Sequence, residues 1–276
     1  MATDELRVCD NASPGDWIRP RLTGESGTVT GTVPSGYEAY VRVCHPAADR
    51  DGTRATWAEV ASTTGRQVHP LMQWHALVGT ADWLNMRGSL WRGDNPLRGE
   101  LEPQTLEPLC RLLSAFTSEP RRCYFCLWEG WGWLEGGSEV TIAWHRDAEP
   151  PTADELRPPP PAFSAEELSR PRVKLPQGRN YILMEGPLSA ATRVGHWATS
   201  AWFIPQSPNL FWSEDRAWCV ASEIDFDSTL VGASSGLIDA ILASPALDAW
   251  PIGPRDSLTA DADHINDVQS GRGSAL

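Results

Sequence analysis

Large apolar side chains alternate along Gly36-Tyr-Glu-Ala-Tyr-Val-Arg-Val-Cys44, with Tyr37, Ala39, Val41 and Val43 in one set. This is the period of a half-buried strand, and Pro46 closes it. After a Gly/Asp turn the period lengthens: Trp57, Ala58, Val60 and Ala61 predict a short helix. Pro70 opens a second, on which Leu71, Trp74, His75 and Val78 fall at i, i+3, i+4 and i+7 and make one buried stripe. A third starts at Pro103, where Leu106, Leu109, Cys110 and Leu113 repeat that spacing, Leu112 and Phe116 widen the face, and Pro120 ends it.

The stretch Arg122-Cys-Tyr-Phe-Cys-Leu-Trp-Glu129 is apolar on both alternating sets, which predicts a central strand covered on both faces, with Val140-Thr-Ile-Ala-Trp144 as a neighbour. Prolines at 150, 151 and 158 to 161 then predict a stiff, extended surface connection. Strands follow at Asn180 to Met184 and Thr199 to Ile204, and the longest strand signal runs from Arg216 to Phe226. Ser234 or Ser235 caps a last helix bearing Leu237, Ile238, Ile241 and Leu242, which Pro245 stops. Beyond Pro254 the chain is polar and reads as a frayed tail.

Together these elements predict an α+β fold: a mostly antiparallel central sheet flanked by three to four helices around a Trp-rich core. The predicted organisation is an N-terminal extension (1–33), an N-terminal lobe (34–148), a Pro-rich connection (149–178), a C-terminal lobe on the same core (179–253) and a flexible tail (254–276).

Composition narrows the function classes. The 276 residues can bury a core without staples, and six scattered cysteines read as reduced thiols. Met1 to Asp10 contains Asp4 and Glu5 and no apolar run, and no stretch approaches the roughly 18 apolar residues of a membrane helix, so the cytoplasm is the expected location. A formal charge of −13, with Arg121-Arg122 as the densest basic spot, repels phosphate backbones. The expected partner is a basic protein, with no nucleic acid and no membrane. Fourteen tryptophans either fill a core or anchor an interface.

Four constellations invite chemistry. Cys123-x-x-Cys126 has a zinc or redox spacing, but on a strand the two thiols face opposite sides, so no metal is expected, and no cofactor. Gly232-Ala-Ser234-Ser-Gly236 matches a nucleophile elbow between strand and helix, with Asp239, Asp248 and His264 following in hydrolase order; a glycine turn with a serine cap explains the same residues. Only 40 residues follow Gly236, and no oxyanion stretch is present, so Ser234 is a weaker candidate than its capping role. Glu223, Asp225 and Asp227 alternate along the predicted strand, which sets their carboxylates roughly 6 to 7 Å apart on one face. With Glu214 and Asp215 just upstream they form a negative ridge suited to a cation, to acid/base work or to a basic partner. Trp128, Trp131 and Trp133, beside Gly130 and Gly132, suit either a groove or a core strand entering a turn. His75, on an apolar helix stripe, reads as a core residue.

Four motifs, Pro34-Ser-Gly-Tyr-Glu-Ala-Tyr-Val-Arg-Val-Cys-His-Pro46, Phe125-Cys-Leu-Trp-Glu-Gly-Trp131, Arg179-Asn-Tyr-Ile-Leu-Met-Glu-Gly-Pro187 and Ser207-Pro-Asn-Leu-Phe-Trp-Ser-Glu-Asp-Arg-Ala-Trp-Cys219, resemble an uncharacterised actinobacterial protein family. The Pro-x-x-Tyr opening and the Trp/acidic strand before a helix are also faintly similar to the SUKH superfamily of toxin-immunity proteins, which implies binding and blocking of a protein. The expected function is therefore non-enzymatic binding of a protein through an acidic, Trp-bearing face, immunity-like in kind. A small serine hydrolase using Ser234 and a small-molecule binder with a pocket lined by Trp128 and Trp131 are the alternatives.

Overall fold

A computed structural model describes residues 6–135, 152, 161–176 and 178–266. The chain divides into two compact units, one of Met1–Pro20 and Glu102–Ala217, the other of Arg21–Leu101 and Trp218–Leu276. Both are α+β, and every strand pairing described within each is antiparallel.

In the first unit Cys123–Trp128 is central, between Asn180–Gly186 and Leu210–Ser213, with Phe125 opposite both Met184 and Phe211. Its two apolar sets are buried, as the uninterrupted apolar run requires. Arg7–Val8 and Val173–Lys174 add to Asn180–Gly186. The Pro103–Ser114 helix buries Leu106, Leu109, Cys110 and Leu113, the predicted stripe, and packs on the 3-10 segment Leu188–Arg193. Aromatic rings fill the core: Tyr124 stacks on Trp212 at 5.5 Å, and Trp17 meets Trp212 edge-on at 5.9 Å.

The second unit is built around Ala39–Cys44, which lies between Ser228–Ala233 and Ala249–Ile252, with Val41 opposite Val231 and Pro251. Trp218–Ala221 pairs with Ser228–Ala233 as a hairpin. The Ser235–Leu242 helix covers the Ala39–Cys44 strand, and Ser234 is its N-cap. A second helix, Trp57–Thr64, starts with a Thr56/Glu59 capping box and ends at the left-handed Gly65, φ +71°. Its buried Trp57, Val60 and Ala61 join Cys44, Met72, Trp74, Leu77 and Val78 in one cluster.

Several sequence expectations change. The strand at Ala39–Cys44 is buried on both faces rather than half-buried, because the Ser235–Leu242 helix packs on it and Arg42 and Cys44 lie against the cluster of Trp57 and Met72. The helix expected from Pro70 shrinks to Trp74–Leu77: the Pro70 and Met72 carbonyls accept from Arg42 instead of feeding a first turn. The long strand from Arg216 to Phe226 is a hairpin arm and its turn. Ile224 and Phe226 continue the apolar alternation through a turn closed by the Phe226 N–H on the Glu223 carbonyl at 2.9 Å. The lobes do not follow chain order, since the sheets pair strands distant in sequence, and Ile18 and Val29 of the expected extension are buried.

Residues 254–266, read as tail, are packed. Leu258, Asp263 and Asn266 are buried, and the Asp263 carboxylate receives His69, the Gln73 N–H and Asn266. The Val140 to Trp144 strand and most of the Pro-rich connection lie outside the described residues. No helix among the described residues is long and apolar enough to cross a membrane.

Candidate functional site

In the second unit a cleft of about 320 Å³ lies between the segment from Gln73 to Arg98, the hairpin tip from Asp225 to Ser228, and Leu258 to Ala260. Arg42 forms its floor. An arginine on a central strand has no water, so all its bonding must come from protein. Nε donates to Ser228 Oγ at 2.9 Å, Nη1 to the Met72 and Pro70 carbonyls at 2.6 and 3.4 Å, and Nη2 to Asp227 Oδ1 at 3.3 Å. Its guanidinium carbon lies 5.0 Å from the centroid of the Trp57 ring, a cation–π contact. With a side chain 1% exposed, Arg42 requires Asp227 as its counter-charge.

The walls are fixed by two short-range devices. Gly99 adopts φ +75°, and a Cβ there would stand 2.7 Å from the Ile224 Cα, so only glycine lets its N–H reach the Phe226 carbonyl at 2.8 Å. His45, fully buried, donates from Nδ1 to the Leu97 carbonyl at 2.6 Å, because a carbonyl can only accept. Its Nε2 therefore accepts from the Thr229 hydroxyl at 2.8 Å, and Thr229 Oγ1 in turn accepts from Ser222 at 2.6 Å.

Burial lowers the His45 pKa from 6.5 to about 4, against the pull of the Leu97 carbonyl and Asp227. The folded unit therefore prefers the neutral ring, and the stability this confers is complete above pH 6.5 and falls as pH drops toward 4. Chemical-denaturant midpoints measured across that window should decline by up to about 3 kcal/mol in stability. In His45→Gln, less stable at neutral pH, the dependence over the same window should flatten.

The rim is apolar. Of the eight exposed large hydrophobic side chains among the described residues, four (Trp83, Leu84, Leu90 and Leu97) come from one loop, and Trp83 and Met86 line the cleft itself. Met86 sits in the left-handed region at φ 54°, a conformation a side chain adopts only when its surroundings impose it. Arg98 lies with its guanidinium carbon 5.8 Å from the Trp83 ring centroid and donates to the Trp83 carbonyl. His75 also lines the cleft rather than serving only as core; burial lowers its pKa, although Asp227 and Asp263 oppose the shift.

The predicted site residues separate. Asp225 and Asp227 line the cleft, but they stand on a turn, not along a strand face, and Glu223 folds back so that its carboxylate accepts the Asp225 N–H at 2.8 Å. Glu214 and Asp215 belong to the first unit and are engaged there. Glu214 pairs with Arg122 at 3.5 Å. Asp215 accepts from Thr117, Ser118, Ser213 and the Ala217 N–H; partial burial raises its pKa, but these hydrogen bonds outweigh it and hold the carboxyl well below its ordinary value.

The three tryptophans are half-buried in the first unit rather than arrayed as an open shelf. Trp131 Nε1 donates to Asn209 Oδ1 at 3.0 Å, Trp128 meets Trp131 edge-on at 5.7 Å, and Trp133 stacks between His196 at 4.7 Å and Phe163 at 6.2 Å. Ser234 Oγ accepts from the Leu237 N–H at 3.5 Å as a helix cap. The glycine before it has its own reason: a Cβ at Gly232 would lie 2.6 Å from the Tyr37 ring. Cys123 and Cys126 are both buried on the central strand, burial pushes the Cys123 thiol up to about 12, and no metal-ligating cluster exists among the described residues.

Trp83, Met86, Arg98 and Arg42 escaped the sequence analysis. The loop bearing the first three has no helix or strand period, and Arg42 looked like the solvent side of a half-buried strand. The one available signal was the density of Trp and Leu among Gly, Asp and Arg between residues 83 and 98. No protein family matches the chain, and no curated protein or solved structure matches it either.

Proposed function

We propose that the protein is a non-enzymatic binding protein that holds a basic protein partner at the cleft of its second unit, with Asp225 and Asp227 supplying charge and the Trp83 loop supplying apolar contact. The observation that carries this is that Trp83 and Met86, from a loop with four exposed large apolar side chains, line a cleft that also contains two carboxylates. Apolar side chains gathered beside a polar rim mark interaction surfaces, and tryptophan is enriched among binding hot spots. The net charge of −13 supplies long-range attraction for a basic partner. Blocking of the partner, the role implied by the likeness to toxin-immunity proteins, is the use this surface fits.

Isothermal titration against a panel of small basic proteins tests it. Binding should weaken roughly tenfold or more between low and moderate salt, because exposed charges are screened beyond about 8 Å at physiological ionic strength. It should be abolished in Trp83→Ala/Asp225→Lys, whose changes fall on exposed positions and leave the fold intact. A partner held equally well by that double variant sinks the assignment.

A further inference from the structure

We infer that the cleft of the second unit is also a receptor for a free α-amino acid with an apolar side chain, held as a zwitterion between Arg98 and Asp227. This goes beyond the holding of a protein partner, because it makes the same cleft a small-molecule site. The volume of about 320 Å³ is at the low end for ligand pockets and suits a molecule of that size.

The observation that carries the inference is that Arg98 and Asp227 both line this small cleft and yet do not pair, Asp227 being bridged to Arg42 instead. Arg98 lies over the Trp83 indole and donates to the Trp83 carbonyl, and it makes no ion pair among the described residues. The ring and the carbonyl steady the planar guanidinium, whose remaining N–H groups can take both oxygens of a carboxylate. The guest brings that carboxylate itself.

Acceptors for an ammonium group line the same cleft. Asp227 Oδ1 receives Arg42, while Oδ2 accepts no hydrogen bond among the described residues and the side chain is 16% exposed. Gln73 is buried, and its Nε2 donates to the Leu71 carbonyl at 3.2 Å. That bond fixes the amide, so Oε1, which accepts from no described residue, is the atom left for a ligand. Neither ring nitrogen of His75 bonds to a described residue, and the charges of Asp227 and Arg98 both act on this ring, which places the two near one another. Burial favours its neutral form, which offers one lone pair. Asp227 Oδ2, Gln73 Oε1 and that nitrogen are three acceptors for the three donors of an ammonium.

Trp83 and Met86 supply the apolar wall that selects an apolar side chain. Their loop is pre-formed, with the Asp82 carboxylate accepting the Asn85 N–H at 2.9 Å and the Asp82 carbonyl accepting the Met86 N–H at 2.8 Å, so binding need not order it.

The test uses the full chain labelled with nitrogen-15, with the Trp83 indole resonance identified from its loss in Trp83→Phe. Leucine should shift that resonance with a Kd on the order of 0.1 mM. N-acetyl-leucine, which lacks the ammonium, and leucine amide, which lacks the carboxylate, should each bind at least about tenfold more weakly. Arg98→Gln, which keeps a donor for the Trp83 carbonyl, should weaken leucine at least about tenfold and leave leucine amide unchanged, since the amide has no carboxylate contact to lose. No shift with leucine, equal binding of leucine and either derivative, or equal losses of leucine and its amide in Arg98→Gln overturns the amino-acid site. Titrations with basic proteins are read separately, so that site can fall while partner binding stands.

Discussion

Arg42→Leu is expected to lower the stability of the second unit by about 3–5 kcal/mol, the range seen when one member of a buried ion pair is removed. The leucine fills much of the aliphatic volume but leaves Asp227 without its counter-charge and orphans the Ser228 hydroxyl and the Met72 and Pro70 carbonyls. Asp227 is partly exposed and can recover some hydration, whereas the Met72 carbonyl received the shortest bond, 2.6 Å, and loses it inside the protein. Guanidinium chloride unfolding of the variant measures the loss.

Arg42→Leu/Asp227→Leu should regain only part of it. Removing both charges cures the unpaired carboxylate, but the two carbonyls remain unsatisfied at roughly 1–3 kcal/mol for each. A single variant within 1 kcal/mol of the parent would mean that Arg42 is solvated, and the cleft floor as described would be wrong.

Arg42 also shows where the sequence was legible and where it was not. Strands and helices whose apolar period is set by local packing could be read directly: the doubly apolar Cys123–Trp128, the Pro103–Ser114 stripe and the Ser234-capped helix all stand where their spacing put them. What failed depended on partners far along the chain. Whether Ala39–Cys44 faces water on one side is decided by the Ser235–Leu242 helix, some 200 residues later, and by the Trp57 and Met72 cluster. The loss of the helix at Pro70 follows from the Arg42 guanidinium competing for its carbonyls, again a distant contact.

The candidate site suffered most, because its residues come from a turn and an aperiodic loop. Asp225 and Asp227 could be picked out by charge alone, although their geometry could not, since Ile224 and Phe226 disguise the turn as strand. Trp83 carries no periodic signal, so the tryptophans that the sequence set beside the acidic residues were Trp128, Trp131 and Trp133. Those indoles sit in the other unit, packed against Asn209, His196 and Phe163.

Trp57→Ala is expected to cost about 4 kcal/mol, the middle of the range for truncating a buried aromatic side chain. Trp57 is fully buried, 5.3 Å from Trp74 between centroids, and its Nε1 donates to the His45 carbonyl at 2.8 Å. Truncation opens a cavity under the Trp57–Thr64 helix and leaves that carbonyl unpaired. Trp57→Phe keeps most of the volume and should cost about half as much. The capping box at Thr56 and Glu59 and the bond from the Trp57 N–H to Asp248 at 2.8 Å involve backbone, so both variants retain the helix start. The loss then reports packing rather than helix formation.

The indole also supports the cleft from below, because Arg42 lies on its face. A double-mutant cycle between Trp57→Phe and Arg42→Leu should therefore show a coupling of about 0.5–2 kcal/mol, as expected for a desolvated cation on an aromatic ring. Additive losses would indicate that the floor of the cleft and the hydrophobic cluster beneath it are energetically separate. Coupled losses would mean that occupation of the cleft at Asp227 is felt through Arg42 by the core, so a bound cation should raise the unfolding midpoint of the parent more than that of Trp57→Phe.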